Sequence, residues 1–73
     1  MKKVHINGGS VRADLMLRDY QVGLFPHTKD AREAMDKGEV TVNGKKIDNS
    51  FIFQRFGEYT VVTKNGTKSF VLI

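Results

Sequence analysis

The stretch Gly38-Glu39-Val40-Thr41-Val42-Asn43-Gly44 marks a change in the hydrophobic pattern of the chain. Its valines alternate with polar residues, which is typical of a strand with one buried side. Asn43-Gly44 is a preferred two-residue turn of a tight β-hairpin, and Lys45-Lys46-Ile47 supplies the returning strand. Gly38 predicts the left-handed residue that ends a preceding helix. We therefore expect helical structure before residue 38 and β-structure after it.

Two short amphipathic segments precede this stretch. In residues 11–20 the apolar side chains at helical spacing are Ala13, Met16, Leu17 and Tyr20. Ser10 is the predicted N-cap of this first helix, and Gly23 is predicted to end it. A second helix is predicted to begin with Thr28 as its cap and to bury Ala31, Ala34 and Met35. Pro26 disfavours helical geometry at Phe25 and so separates the two helices.

The remaining segments alternate polar and apolar residues with the period of a strand. Residues 2–6 form a predicted short strand before the breaker Asn7-Gly8-Gly9. After the first hairpin, Asn65-Gly66 predicts a second one that joins residues 58–63 to residues 67–73. The predicted fold class is α+β, with two short packed helices followed by a small, mostly antiparallel sheet. Residues 1–73 are expected to form one domain.

Composition narrows the possible functions. The chain has 73 residues, 12 Lys and Arg against 8 Asp and Glu, and a formal net charge of +4. Because it contains no cysteine, disulfides, thiolate metal clusters and thiol nucleophiles are excluded, and a reducing cytoplasm is the expected location. No apolar run approaches the ~20 residues of a membrane span, so no membrane partner is expected.

The sequence contains no pattern of residues typical of catalysis. It has no paired carboxylates, no nucleophile with a base and no phosphate-binding glycine loop at the required spacing. His5 and His27 lack companions at metal-ligand spacing, so no metal or cofactor is expected. The small size favours a binding module over an enzyme, and no small-molecule substrate is expected.

Four groups of residues stand at fixed separations across the predicted helices and hairpin. They are Arg12, Asp14 and Leu17, then Gly23-Leu24, then Ala31-Arg32, and finally Gly38, Val40, Val42, Asn43 and Gly44. This pattern resembles the RNA-binding domain named after small-subunit ribosomal protein four, here called the S-four domain. The similarity is strong over about half of the chain and extends weakly to Val61. The spacing across the second helix is its most specific part.

The resemblance implies a fold in which the two helices and the hairpin, together called the alpha-L motif, form one RNA-facing surface. It implies a non-catalytic protein that binds structured RNA, ribosomal or tRNA-like, in association with the ribosome. The residues expected on the surface are Arg12, Arg18, His27, Thr28, Lys29, Arg32, Asn43, Gly44, Lys45 and Lys46. Phosphate contacts would provide most of the affinity, and the backbone near Gly44 would approach closely because glycine has no side chain.

The chain departs from the family pattern at two places. The family commonly carries Ser-Arg just before the second helix, where the arginine contacts RNA, whereas this chain has His27-Thr28 followed by Lys29. The interval from Arg12 to Gly23 is also about two residues longer than usual. These differences point to a changed RNA target, or to loss of RNA binding.

Several of these residues also have a purely structural interpretation. Arg12 and Asp14 are expected to form an ion pair at the start of the first helix rather than a direct RNA contact. Lys29 and Arg32 fit solvated helix charges equally well, and Lys45-Lys46 fits a solubilising hairpin tip. Most phenylalanines are assigned to the core, and Phe25 is the candidate for an exposed ring.

An alternative function is a protein-interaction module that uses its C-terminal strand as a free edge. The apolar residues 69–73 would benefit from cover by another chain, and Lys64 and Lys68 resemble charges that protect an edge. A small regulatory protein of a phage or mobile element is a third hypothesis, and size is its only support.

Overall fold

The computed structural model describes residues 1–19 and 21–73. The strands and helices, in chain order, are β1 (Lys2–Val4), β2 (Ser10–Arg12), α1 (Ala13–Arg18), α2 (Thr28–Asp36), β3 (Thr41–Val42), β4 (Lys45–Lys46), β5 (Ile52–Gln54), β6 (Glu58–Thr63) and β7 (Gly66–Leu72). They form an α+β domain with a five-stranded mixed sheet and a separate two-stranded sheet. The α+β prediction is therefore confirmed, although two strands precede the helices.

The strand order of the larger sheet is β1-β7-β6-β3-β4. Its neighbouring strands are antiparallel except for β1 and β7, which run parallel. The predicted hairpin connects β3 to β4, and Asn43 and Gly44 have the positive φ angles, 51° and 84°, that a tight hairpin turn requires. The first hairpin and the mostly antiparallel sheet are both confirmed.

One cluster of buried side chains joins the helices to the sheets. Its fully buried large members include Met16 and Leu17 of α1, Phe53 of β5, and Phe70 and Leu72 of β7. The predicted stripe of α2, Ala31, Ala34 and Met35, is also buried. Phe25, the candidate for an exposed ring, is buried and belongs to the core. The core therefore holds the two helices in fixed positions relative to the hairpin.

The start of α1 differs from the prediction. Residues 10–12 form β2, in which Val11 lies opposite the buried Phe53, and α1 begins only at Ala13. Ser10 is consequently not an N-cap, because pairing with β5 takes precedence over the local capping preference. Tyr20, which we expected on the buried helical face, lies outside the described residues.

The ends of α2 match the prediction in part. Thr28 is the first helical residue rather than the cap; His27 occupies the extended cap position, and no side chain caps the helix. Gly38 has the expected left-handed backbone, with φ of 69°. The helices have six and nine residues, and neither has the length and apolar character needed to cross a membrane.

The second hairpin turns one residue earlier than predicted. Thr63 pairs with Gly66, so Lys64 and Asn65 form the loop instead of Asn65-Gly66. The Asn65 side chain donates a hydrogen bond to the carbonyl oxygen of Leu24 at 2.9 Å, which anchors this loop to the connector between the helices. This long-range bond cannot be recognised from the local turn signal.

The C-terminal strand is not a free edge. β7 lies between β6 and β1, and Phe70, Val71 and Leu72 pair with residues of β1. The prediction of an open C-terminal edge is therefore wrong over residues 70–72. The parallel partner is the predicted N-terminal strand, and the sequence alone does not indicate which strand it pairs with.

Candidate nucleic-acid interface

A buried carboxylate lies at the junction of β2, α1 and α2. Asp14 accepts hydrogen bonds from Arg12 at 3.0 and 3.2 Å and from Arg32 Nε at 2.9 Å. Its side chain is 8% exposed, whereas those of Arg12 and Arg32 are 60% and 51% exposed. The hydrogen bond from Arg12, together with that from Arg32, lowers the pKa of Asp14 to about 2.

This cluster has both a structural and an electrostatic consequence. Asp14 belongs to α1, Arg12 to β2 and Arg32 to α2, so the shared carboxylate ties the first helix to both the second helix and the strand before it. Two guanidinium groups against one carboxylate leave a net positive charge, and half of each arginine side chain remains open to solvent. The predicted Arg12 ion pair is confirmed. The pairing of Arg32 was not predicted, since its partner lies 18 residues away.

The first turn of α2 lies beside this cluster. Arg32 Nη2 donates to Thr28 Oγ1 at 3.3 Å, so Thr28 belongs to the same group of side chains. Lys29 and His27 are exposed at this end of the helix. Arg18 is exposed at the end of α1, and within the described part of the chain neither Arg18 nor Lys29 forms an ion pair.

Acidic residues limit the positive region of α2. Asp30, Glu33 and Asp36 outnumber Lys29 and Arg32 within this helix. Asp36 accepts a hydrogen bond from Asn49 Nδ2 at 2.7 Å, so its carboxylate faces the segment that follows β4. Asp30 lies in the first turn itself, so the cations at this end of α2 are Lys29 and Arg32 with the adjoining Arg12, a smaller group than the predicted continuous face.

Asn43 has its side chain occupied within the protein. Its Oδ1 accepts from the backbone N–H of Thr60 at 2.8 Å, and its Nδ2 donates to the carbonyl oxygen of Glu58 at 3.3 Å. These bonds fasten the hairpin turn to β6. Gly44 is open: a Cβ placed there would meet nothing within 4 Å among the described residues.

The hairpin lysines are exposed but diverge from the first turn of α2. Lys46 extends over Gly38, and its Nζ lies 3.6 Å from the position that a Cβ at Gly38 would occupy. A cation there is favourable because the carbonyl end of α2 carries partial negative charge. Lys45 lines a cleft with Phe51 and Tyr59. The structure therefore brings Arg12, Thr28 and Arg32 together, with Lys29 beside them, and places Lys46 at the opposite end of α2.

Sequence reasoning missed one conspicuous feature. Phe56 has 72% of its surface exposed, and the guanidinium carbon of Arg55 lies 5.1 Å from the centre of its ring. The only local signal was the position of the pair in a turn before Gly57, where neither residue fits an alternating strand pattern.

The chain was compared with protein-family models and with curated proteins. No protein-family model matches the chain, and no curated protein matches it in sequence. The residues and contacts of this chain, and the resemblance of its motifs, are therefore what indicate a function.

Proposed function

We propose that this protein is a non-catalytic RNA-binding domain of the S-four type that binds structured RNA in the cytoplasm. The observation that carries the proposal is the pair of half-exposed arginines, Arg12 and Arg32, held side by side by buried Asp14 and next to exposed Lys29. Ribosomal and tRNA-like RNAs are the proposed targets, because the family that the chain resembles binds such structures.

The positions of the motif residues support the resemblance. Arg12, Asp14 and Arg32 form one ion cluster between the helices, Gly38 ends α2 with a left-handed backbone, and Asn43 anchors the hairpin. These spaced residues therefore have connected structural roles, as expected for a motif that defines a fold.

Electrostatics supports binding of a polyanion at the first turn of α2. The guanidinium groups of Arg12 and Arg32 are positioned in advance by Asp14, so little side-chain entropy would be lost when a phosphate binds. Lys29 adds a mobile cation, and the positive end of the helix dipole adds to the same field. The departure at His27-Thr28 therefore still leaves a cation beside this position, because Lys29 follows it and Arg32, the arginine of the matched Ala-Arg pair, lies one turn further along α2.

The proposal is tested by titrating the protein with a labelled RNA stem-loop at several salt concentrations. Because phosphate contacts release counterions, log affinity should fall linearly with log salt, by about 0.7–0.9 for each neutralised phosphate. Binding without a salt slope, or none at low salt, would refute RNA binding.

Lys29→Ala is expected to weaken RNA binding and to reduce the salt slope by about 1, because one phosphate contact is lost. Its melting temperature should not change, since Lys29 is exposed and pairs with no described side chain. Lys3→Ala is the matched control, because Lys3 is an exposed lysine of β1, at the sheet edge opposite β4. Equal losses in both variants would show that only total charge matters. Arg32 is unsuitable for this test because it also stabilises the fold.

A further inference from the structure

Phe56 has an unusual combination of exposure and backbone geometry. Its φ is 67°, a left-handed value that bulky side chains rarely adopt, and its ring is largely exposed. It is the third residue of a turn closed by the Gly57 N–H and the Gln54 carbonyl at 3.1 Å, a position where glycine or asparagine is preferred. Neither burial nor turn geometry explains a phenylalanine here, so its exposed ring is a candidate for a binding function.

Hydrogen bonds to neighbouring segments hold the backbone of the turn that carries this ring in place. The Arg55 N–H donates to the Gly9 carbonyl at 2.9 Å, and the Phe56 N–H donates to the Leu72 carbonyl at 2.6 Å. Tyr59 packs beneath the turn, with its hydroxyl accepting from the Gln54 N–H at 2.8 Å. A Cβ at Gly57 would lie 2.6 Å from that hydroxyl, so glycine is required for this close packing.

The chemistry of the pair favours a nucleobase as the occupant. Arg55 lies within cation–π distance of the ring, so an aromatic surface and a phosphate-binding cation occur at one site. Proteins that bind unpaired nucleotides use this combination, in which a base stacks on the aromatic face and an arginine contributes charge. The net charge of +4 complements the same polyanion.

A strip of exposed side chains connects this pair to the arginine cluster. In the two-stranded sheet Arg12 lies opposite Ile52, and Ser10 lies opposite Gln54, all on the side away from half-buried Val11 and buried Phe53. The strip thus begins at Arg12 in the ion cluster and ends at Gln54, immediately before Arg55. An RNA bound at the ion cluster and extended along this strip would reach the turn that carries Arg55 and Phe56.

We propose that Phe56 and Arg55 form a stacking platform for an unpaired nucleobase of the bound RNA. This inference rests on the proposed function and specifies its target: an RNA in which a paired stem adjoins unpaired nucleotides. The paired part binds at Arg12, Lys29 and Arg32, and an adjoining unpaired base stacks on Phe56.

The test uses two labelled RNA probes, a stem-loop with unpaired nucleotides and a fully paired duplex of the same stem. Phe56→Leu should weaken stem-loop binding about tenfold and leave duplex binding unchanged, because a leucine side chain offers no ring for stacking. The salt slope should stay the same, since no charge is removed. Phe56→Tyr is the matched control and should retain the affinity of the parent.

Phe56→Trp provides a direct readout, because the chain contains no other tryptophan. Its fluorescence should be quenched by the stem-loop and not by the duplex, as a stacked base contacts the indole. Phe56→Gly should match or exceed the melting temperature of the parent, since glycine adopts the left-handed turn readily, while losing stem-loop affinity.

The outcomes separate the two proposals. If the parent binds RNA with a salt slope but Phe56→Leu binds the stem-loop equally well, the platform is refuted and the proposed function survives. If the parent binds neither probe at low salt, both are refuted. If Phe56→Leu loses both RNA binding and cooperative unfolding, its result reflects a structural role of Phe56. Phe56→Gly then decides, because a stable Phe56→Gly protein that binds the stem-loop with the parental affinity would overturn the platform.

Discussion

Removal of residues 70–73 is expected to leave a chain that no longer folds cooperatively. Phe70 and Leu72 are fully buried, and loss of one such Phe and one such Leu side chain costs about 5–10 kcal/mol. That loss is similar to the about 4–11 kcal/mol of total stability expected for a chain of this length. The deletion also removes the partner of β1 and the carbonyl that fixes Phe56.

The measurement is thermal unfolding followed by circular dichroism. Lys68→Ala is the matched control, because Lys68 is an exposed residue of the same strand, and it should unfold with the parental midpoint. A cooperative transition in the truncated chain would show that β7 contributes far less to the core than its burial indicates. It would also restore the hypothesis that the C-terminal strand serves as an edge for pairing with another chain.

The parts of the fold that the sequence predicted correctly are set by local chemistry. Asn43-Gly44 and Gly38 adopt positive φ because these residue types tolerate it, so one hairpin and one helix end could be placed without tertiary information. The buried stripe of α2 follows from helical periodicity in the same way.

The parts that were missed depend on contacts between distant residues. Residues 10–12 become a strand because β5 pairs with them, and β7 becomes an interior strand because β1 covers it. Neither pairing has a local signal, since any exposed strand can accept several partners. The turn in the second hairpin was predicted one residue too late because the bond from Asn65 to the distant Leu24 has no local signal either.

The candidate site shows the same division. Its cations could be named from the sequence, but the arrangement of Arg12 and Arg32 on one carboxylate required the fold. Arg32, which we expected either to contact RNA or to be a solvated helix charge, also holds the helices together. The exposure of Phe56 was not predicted, because a domain this small is expected to need its phenylalanines in the core.

Asp14→Asn is expected to lower the free energy of unfolding at neutral pH by about 2 kcal/mol, as the pKa shift of Asp14 implies. The variant keeps the size of the side chain but removes the charge that both arginines require. The free energy of unfolding is obtained from urea titration. Glu58→Gln is the control, because Glu58 is exposed and, among the described residues, pairs with no cation.

The pH dependence distinguishes lost charge from general damage to the core. The pKa of Asp14 is lowered in the folded state, from 3.8 to about 2, so its stabilisation is complete above pH 4 and is lost as pH falls through about 2. The difference between the parent and Asp14→Asn should therefore be constant near neutral pH, shrink between about pH 4 and 2, and vanish below that range. A difference that persists undiminished at about pH 1, below both pKa values, would show that Asp14 acts through packing, and Arg12 and Arg32 would then not depend on its charge for their positions.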